Sequence, residues 1–467
     1  MQITLDELVI KIRTASRAFG NQCAWFCLDG GGFGDPQKSY LGFTTRLIEC
    51  QTGNEEEFKK RLTQLWENEL NQESRVSESE PKHFFHGGWV LALAYEFGRS
   101  HSNDINSEEL TALALHVPAV IEFDEQKQVL RVLNAYDKNF VYEYDFEVPA
   151  LTDTLENIVA EIKADQSAEN ENKSINPVNK DNVANGDCKA NLSSYRMNKK
   201  TYIKTIDKAK KIINETSASV LCLTNQITLQ NASDYDVVST FLNLKRLGGA
   251  PRSGLIEWGN KWIMSASPER FLSKKGMKIS SSPIKGTRPR GETFAEDESL
   301  KLELLQSPKE IAENARVLDA VAAELFQLAE VPDSNLKFSG SLESYKQVHQ
   351  LVSHVATTVS QKTTFWQIID AIFPAASMTG VPKEAAIKHL RNLEEANRGW
   401  YSGCFGTISP GAVNIEMAMT IRSIESNGSE IRIGAGGGIT EASEPHAEWK
   451  EMEHKASAML KALQTLN

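Results

Sequence analysis

The sequence predicts an α+β protein, and three observations carry that reading. Strand-like runs and helical runs both occur, they do not alternate regularly, and no internal repeat is present. At 467 residues the chain is long enough for a large core, and length alone admits one unit or several.

Before residue 164 the strand-like runs are Ala24 to Leu28, Trp89 to Tyr95, Ala119 to Phe123 and Val129 to Val132, punctuated by glycine clusters such as Gly30 to Gly34. Residues 1–164 therefore read as a strand-rich N-terminal subdomain. Asp165 to Asp187 is almost free of large apolar residues and rich in Asn, Asp, Lys and Ser. Such a segment buries too little to order itself, so 165–190 reads as a polar linker or disordered loop. Residues 191–467 form the remaining domain.

In that domain, Tyr202, Ile206, Ala209 and Ile213 stand at helical spacing within Lys199 to Ile213, and strand-like runs follow at Val220 to Leu223 and Trp262 to Met264. Lys274 to Gly276 turns a hairpin between Phe271-Leu272 and Met277 to Ile279. Ser307-Pro-Lys-Glu310 has the pattern of a capping box with proline at the first helical position. Further helices are expected over Phe365 to Phe373, over Lys383 to Leu393 after Pro382, and over Pro445 to Leu463 with Trp449, Met452, Ala456 and Leu460.

The formal charge is −11 with acids and bases interspersed, which argues against a nucleic-acid partner. The six cysteines are scattered, and only Cys23 and Cys27 are close, so reduced, mostly buried thiols are expected. The N-terminus lacks a basic segment followed by an apolar one, and no run approaches the roughly 18 apolar residues of a membrane span. The expectation is a soluble, cytoplasmic protein with no membrane partner.

Four constellations carry possible chemistry. Glu310 and Glu313 are three apart on one helix, and Glu448 and Glu451 three apart on another. Each pair shares a helix face, so two such helices meeting would offer carboxylates to a hard divalent cation; Glu310 reads equally as the N3 residue of its capping box. Gly434-Ala-Gly-Gly-Gly438 follows a strand-like run and suits close backbone approach to a carboxylate, or a plain tight turn. Glu269 lies opposite roughly Ser282 in the expected hairpin. Lys285 stands about 10 Å further along, at about 3.3 Å per residue, leaving room for one small ring; a solvated turn lysine is the alternative. Arg422 interrupts an apolar strand and has the pattern of an inward arginine that forks onto a carboxylate, of a ligand or of the protein. His349 and His354, five apart, do not match the spacing of a helical zinc pair and read as core or surface histidines.

Taken together the segments resemble the chorismate-binding enzymes, which include the large subunits of anthranilate and aminodeoxychorismate synthases and the isochorismate and salicylate synthases. The resemblance runs through Ser267-Pro-Glu-Arg-Phe271, Pro283-Ile-Lys-Gly-Thr287, Lys309-Glu-Ile-Ala-Glu-Asn314, Thr379-Gly-Val-Pro-Lys383, Arg398-Gly-Trp-Tyr-Ser-Gly403, Ile421-Arg422, Ala435-Gly-Gly-Gly-Ile439 and Glu448 to Lys455. More weakly it includes Leu28-Asp29, Ser39 to Gly42 and Gly87-Gly88. It implies antiparallel sheets packed face to face with helices outside, as in anthranilate synthase component I.

It further implies that Glu310, Glu313, Glu448 and Glu451 hold magnesium against the ring carboxylate of chorismate, with the amides of Gly436, Gly437 and Gly438 on the same carboxylate. Tyr401 and Arg422 would take the enolpyruvyl carboxylate, and Thr287, Thr379 and Lys383 belong to the substrate-binding motifs. Glu269 resembles the acid that protonates the departing C4 hydroxyl. Lysine at position 285, where family members that add ammonia or water at C2 typically carry alanine, resembles the aminodeoxychorismate synthases. The implied activity is amination of chorismate at C4 through a covalent Lys285 adduct, serving 4-aminobenzoate and folate synthesis; the alternatives are anthranilate or isochorismate synthesis on the same fold, or a non-catalytic chorismate-binding subunit. Ammonia would come from a separate glutamine amidotransferase subunit in a heterodimer. A lysine titrates near 10.4 when free, so about 3–4 kcal/mol of perturbation, from burial or the nearby cation, would be needed at Lys285 for a substantial neutral fraction at about pH 7 to 8. The chain departs from the family pattern at Leu318 to Glu324, which lacks the usual Arg-Asn pair, at Gln350 in place of histidine, and at Ala375-Ala376.

Overall fold

The structure, a computed structural model, describes residues 3–20, 23–29, 38–73, 85–98, 109–134, 147–171, 193–331, 335–345 and 348–464. The run Gly30 to Gly34 and Cys188 lie outside them. Period-two side-chain alternation builds the layers, and the strand Ala24–Asp29 shows how. Its Ala24, Phe26 and Leu28 enter one buried cluster with Val90, Leu113 and Phe405, while Trp25 and Cys27 enter another with Leu8, Ile12 and Leu155. A strand buried on both faces in this way belongs to a sheet covered on both sides.

Two such sheets are present, and every described strand pair is antiparallel. From edge to edge, the first sheet runs Gly380–Val381, Val220–Gln230, Glu430–Ile439, Ser423–Ser426, Lys261–Ser267, Arg252–Trp258, Ala24–Asp29, Lys38–Thr44, Ala119–Asp124, Val129–Asn134; Ser193–Tyr195 also pairs with Val220–Gln230. The second runs Ile284–Pro289, Val348–Thr358, Lys278–Ser282, Arg270–Lys275, Asn414–Met419, Cys404–Ile408, Gly88–Leu93, Leu110–Val117, Leu47–Gln51; Leu336–Ser344 also pairs with Val348–Thr358. One apolar cluster joins the inner faces of both sheets. The helices Leu5–Ala18, Glu147–Glu171, Lys199–Glu215, Val237–Gly248 and Pro445–Gln464 contribute to the cluster outside the first sheet. Glu55–Glu73, Pro308–Phe326 and Phe365–Ile372 do the same outside the second. The result is helix, sheet, sheet, helix: the α+β arrangement expected.

Both sheets take strands from before and after the polar segment. Phe26 pairs with Ile256 in the first, and Val90 with Thr407 in the second. The helix Glu147–Glu171 runs on into the first seven residues of the segment read as linker; the rest of it lies outside the described residues. Among the described residues no helix is long and apolar enough to cross a membrane. Cys23, Cys27, Cys50, Cys222 and Cys404 are free and buried, as expected.

Candidate active site

Local structure decides several ambiguities at once. The helix Pro308–Phe326 starts as expected, with Ser307 Oγ accepting from the Glu310 amide at 3.4 Å. The reciprocal half of the capping box does not form: the Glu310 carboxylate reaches Arg288 at 3.4 Å instead, on the wall of a cavity. The glycine run is not a turn either. Gly434 to Gly438 lie inside Glu430–Ile439, paired residue for residue with Val220–Gln230 as Gly436↔Thr224 and Gly438↔Cys222. On the other side its partner Ser423–Ser426 stops at Ile424↔Ile433, which leaves that edge of the glycines open. The Gly436 carbonyl accepts from Lys455 Nζ at 3.0 Å, so by alternation the amides of Gly436 and Gly438 face the open edge and that of Gly437 faces the partner strand.

The cavity on that edge is about 620 Å³, ordinary for a small-molecule site. Every residue lining it belongs to 191–467. Glycine is required where the strand crosses Tyr401, because a Cβ on Gly434 would stand 2.1 Å from the ring.

Five carboxylates and five lysine or arginine side chains line this space. Four pairs close among them: Lys285 with Glu313 at 3.1 Å, Arg288 with Glu310 at 3.4 Å, Lys309 with Glu448 at 3.4 Å and Lys455 with Glu451 at 2.8 Å. Two groups remain. Arg422, at a bend with φ +49°, donates to the Gly248 carbonyl at 3.3 Å and has no carboxylate partner among the described residues. Burial lowers its pKa from the ordinary value. Glu269 accepts from Ser377 Oγ at 2.6 Å and has no ion-pair partner among the described residues; burial pushes its pKa up to about 7. The cavity thus offers a half-buried cation with no carboxylate partner among the described residues and a carboxyl poised to hold or give a proton near neutrality.

Glu269 and Lys285 stand closer than strand counting suggested. Arg270 pairs with Ser282, a bulge follows between Arg270 and Ser273, and the Ile284 amide donates to the Glu269 carboxylate. Lys285 Nζ also donates to the Ser377 carbonyl at 3.3 Å, so Ser377 touches both groups. The shift toward the amine that the resemblance calls for at Lys285 is not found. Burial lowers its pKa, but Glu313, Cys222 and Glu269 together outweigh burial and hold the ammonium well above its ordinary value.

Tyr401, Thr287 and Gly436 to Gly438 line the cavity. Thr379 and Lys383 do not. Thr379 is fully buried and its Oγ1 donates to the Ala375 carbonyl, while Lys383 turns to Glu324 at 3.0 Å. Gln350 lines the cavity and donates to Thr287 Oγ1 at 3.3 Å. His349 is fully buried, 2.8 Å from Asp297 and outside the lining. The sequence reading assigned no role to Arg288, Lys309 or Lys455. Only Lys455 left a signal, four residues after Glu451 on one helix. Among the described residues no three His, Cys, Asp or Glu side chains are grouped to chelate one ion.

A family model described as chorismate binding enzyme matches residues 32–461. The chain belongs to the chorismate-binding enzyme family. Among its relatives, an aminodeoxychorismate synthase of Streptomyces griseus is 34% identical over 280 residues, covering 60% of this chain and 38% of the relative. Anthranilate synthase component 1 of Methanothermobacter thermautotrophicus is 32% identical over 243 residues, covering 51% of this chain and 52% of the relative. The chain spans well under two thirds of the length of these relatives. Its fold matches anthranilate synthase component I from Streptococcus pneumoniae with a TM-score of 0.66 at 20% identity, over 93% of this chain and 89% of that one. It also matches the menaquinone-specific isochorismate synthase from Escherichia coli with a TM-score of 0.64 at 17% identity, over 94% and 89%. The chorismate-binding enzymes therefore account for both the sheet order and the sequence motifs.

Proposed function

We propose that the chain is the chorismate-aminating component of an aminodeoxychorismate synthase, joining chorismate and ammonia into 4-amino-4-deoxychorismate for 4-aminobenzoate and folate synthesis. The observation that carries this is the juxtaposition of Lys285 and Glu269 around Ser377, facing a cavity in which Arg422 has no carboxylate partner among the described residues. Arg422 and Tyr401 take the enolpyruvyl carboxylate, and the open-edge amides of Gly436 and Gly438 take the ring carboxylate. Lys285 first gives its ammonium proton to solvent; as the amine it then forms a bond to C2 while the C4–O bond breaks and Glu269 protonates the leaving oxygen, which departs as water. Ammonia then bonds to C4, the ring double bonds shift back, and the C2–N bond to Lys285 breaks. A separate glutamine amidotransferase subunit supplies the ammonia.

Magnesium fits the donor chemistry of the wall, since Glu310, Glu313, Glu448 and Glu451 all offer hard oxygen ligands. A Cβ on Gly437 would lie 3.3 Å from Glu448 and 4.0 Å from Glu451, and one on Gly438 would lie 2.4 Å from Glu313, so three of the carboxylates approach two successive glycines. The ion would supply positive charge that binds and orients the ring carboxylate. Gly438→Ala forces the Glu313 carboxylate aside while moving only the end of a flexible side chain. Calorimetry is expected to show magnesium binding weakened about tenfold with the thermal transition nearly unmoved; unchanged affinity would remove Glu313 from the ligand set.

The activity is tested by supplying the purified chain with chorismate, magnesium and an ammonium salt at alkaline pH. Mass spectrometry is expected to find 4-amino-4-deoxychorismate, and 4-aminobenzoate once a lyase is added. Anthranilate formed without the lyase, or isochorismate, would assign the chain to another reaction of its family.

A further inference from the structure

Glu269 lines two cavities. One is the large cavity described above; the other lies behind it and is walled by apolar residues such as Phe271 and Leu325 together with Ser281, Ser377 and Glu324. The rear cavity holds about 10 Å³, the threshold for a single ordered water, which needs the several polar partners these four side chains provide. Glu324 Oε1 pairs with Lys383 at 3.0 Å, whereas its Oε2 is buried and makes no hydrogen bond. The Glu324 side chain keeps 13% of its surface exposed, so one carboxylate spans from solvent to the rear of Glu269.

We propose that Glu324 is the positioning residue that returns protons to Glu269 through this rear cavity. The idea rests on the assignment of Glu269 as the proton donor. When chorismate fills the front cavity, it covers the face of Glu269 turned toward it, so a proton lost in turnover is best replaced from behind. Glu269 gives its proton to the C4 oxygen, which leaves as water. The remaining carboxylate takes a proton, by way of one water, from the Glu324 carboxyl, and Glu324 takes one from solvent. Transfer between groups of similar pKa meets little thermodynamic penalty, and burial pushes both carboxyls up to about 7. The charged neighbours are Lys383 and Glu384 at Glu324, and Lys285 and Arg252 at Glu269.

The test compares Glu324→Gln, Glu324→Asp and Lys383→Gln in the amination assay and by infrared titration of the buried carboxyl bands without substrate. Glu324→Gln is expected to lower kcat on the order of tenfold with KM for chorismate unchanged, and to raise the solvent deuterium isotope effect. Glu324→Asp should recover most of the rate. In the infrared titration two carboxyl bands should titrate near neutrality in the wild type, and Glu324→Gln should lose one of them. A Glu324 carboxyl that titrates well below neutrality overturns the proposal. So does a Lys383→Gln variant, which breaks the ion pair but keeps the carboxyl, that loses as much kcat as Glu324→Gln. Glu269→Gln separates the two ideas: retained turnover there refutes the donor assignment, while the infrared titration still shows whether Glu324 can exchange a proton near neutrality.

Discussion

Lys285→Ala is expected to reduce formation of 4-amino-4-deoxychorismate by at least about 10³-fold, within the range seen when a catalytic nucleophile is removed. Chorismate binding should survive, because Arg422 and the amides of Gly436 and Gly438 are untouched, and calorimetry can measure it directly. Lys285→Arg sharpens the result: it keeps the charge beside Glu313 but supplies no nucleophile at neutral pH, so it should fail as alanine does. Trapping the wild-type adduct and mapping its mass to the peptide containing Lys285 completes the test. C4 amination retained in Lys285→Ala would make the lysine a counter-ion for Glu313 and nothing more.

The second large effect is on stability. Arg398 is buried, bonds both Glu394 oxygens at 2.7 and 2.8 Å, donates to the Met378 and Cys222 carbonyls, and lies 4.1 Å over the Tyr95 ring. Arg398→Met leaves Glu394 a buried charge hydrogen-bonded, among the described residues, by the Thr224 amide and hydroxyl, with only the more distant Arg196 as a counter-charge, which is expected to cost about 3–5 kcal/mol. That is a large share of the roughly 5–15 kcal/mol that stabilises a typical protein. Denaturant titration should show a lower midpoint, and Glu394→Met added to Arg398→Met should recover part of the loss by removing the stranded charge. A drop below about 1 kcal/mol in the single variant contradicts this account. Because Met378 and Cys222 also line the active cavity, the same variant should loosen it.

Much of the site was legible because its residues sit in contiguous motifs: Glu269 in one, Lys285 in another, and the glutamate pairs at helical spacing. What spacing hides is how separate elements meet. Glu310 reads as a capping residue until the helix start is seen to leave its carboxylate to Arg288. The Lys309–Glu448 contact joins two helices far apart in sequence, and no local pattern announces it. Lys383 lies in a motif yet faces Glu324, since the helix start that carries it turns toward Pro308–Phe326. In the fold, Lys199–Glu215 was readable from Tyr202, Ile206, Ala209 and Ile213 at helical spacing, whereas Leu336–Ser344 is largely exposed and its short alternation of Leu336, Phe338 and Leu342 is broken by Gly340.

The strands exchanged between the two ends of the chain carry a further consequence. Neither 1–164 nor 191–467 owns a complete sheet, so 191–467 expressed alone would present Arg252–Trp258 and Cys404–Ile408 as bare edges, ready to pair with other chains. Folding must bring Ala24 to Trp258 across most of the intervening polypeptide, which makes for high contact order and slow, cooperative acquisition of structure. The cavity, although its described lining lies in the later residues, is thus built on two sheets that only the first strands complete.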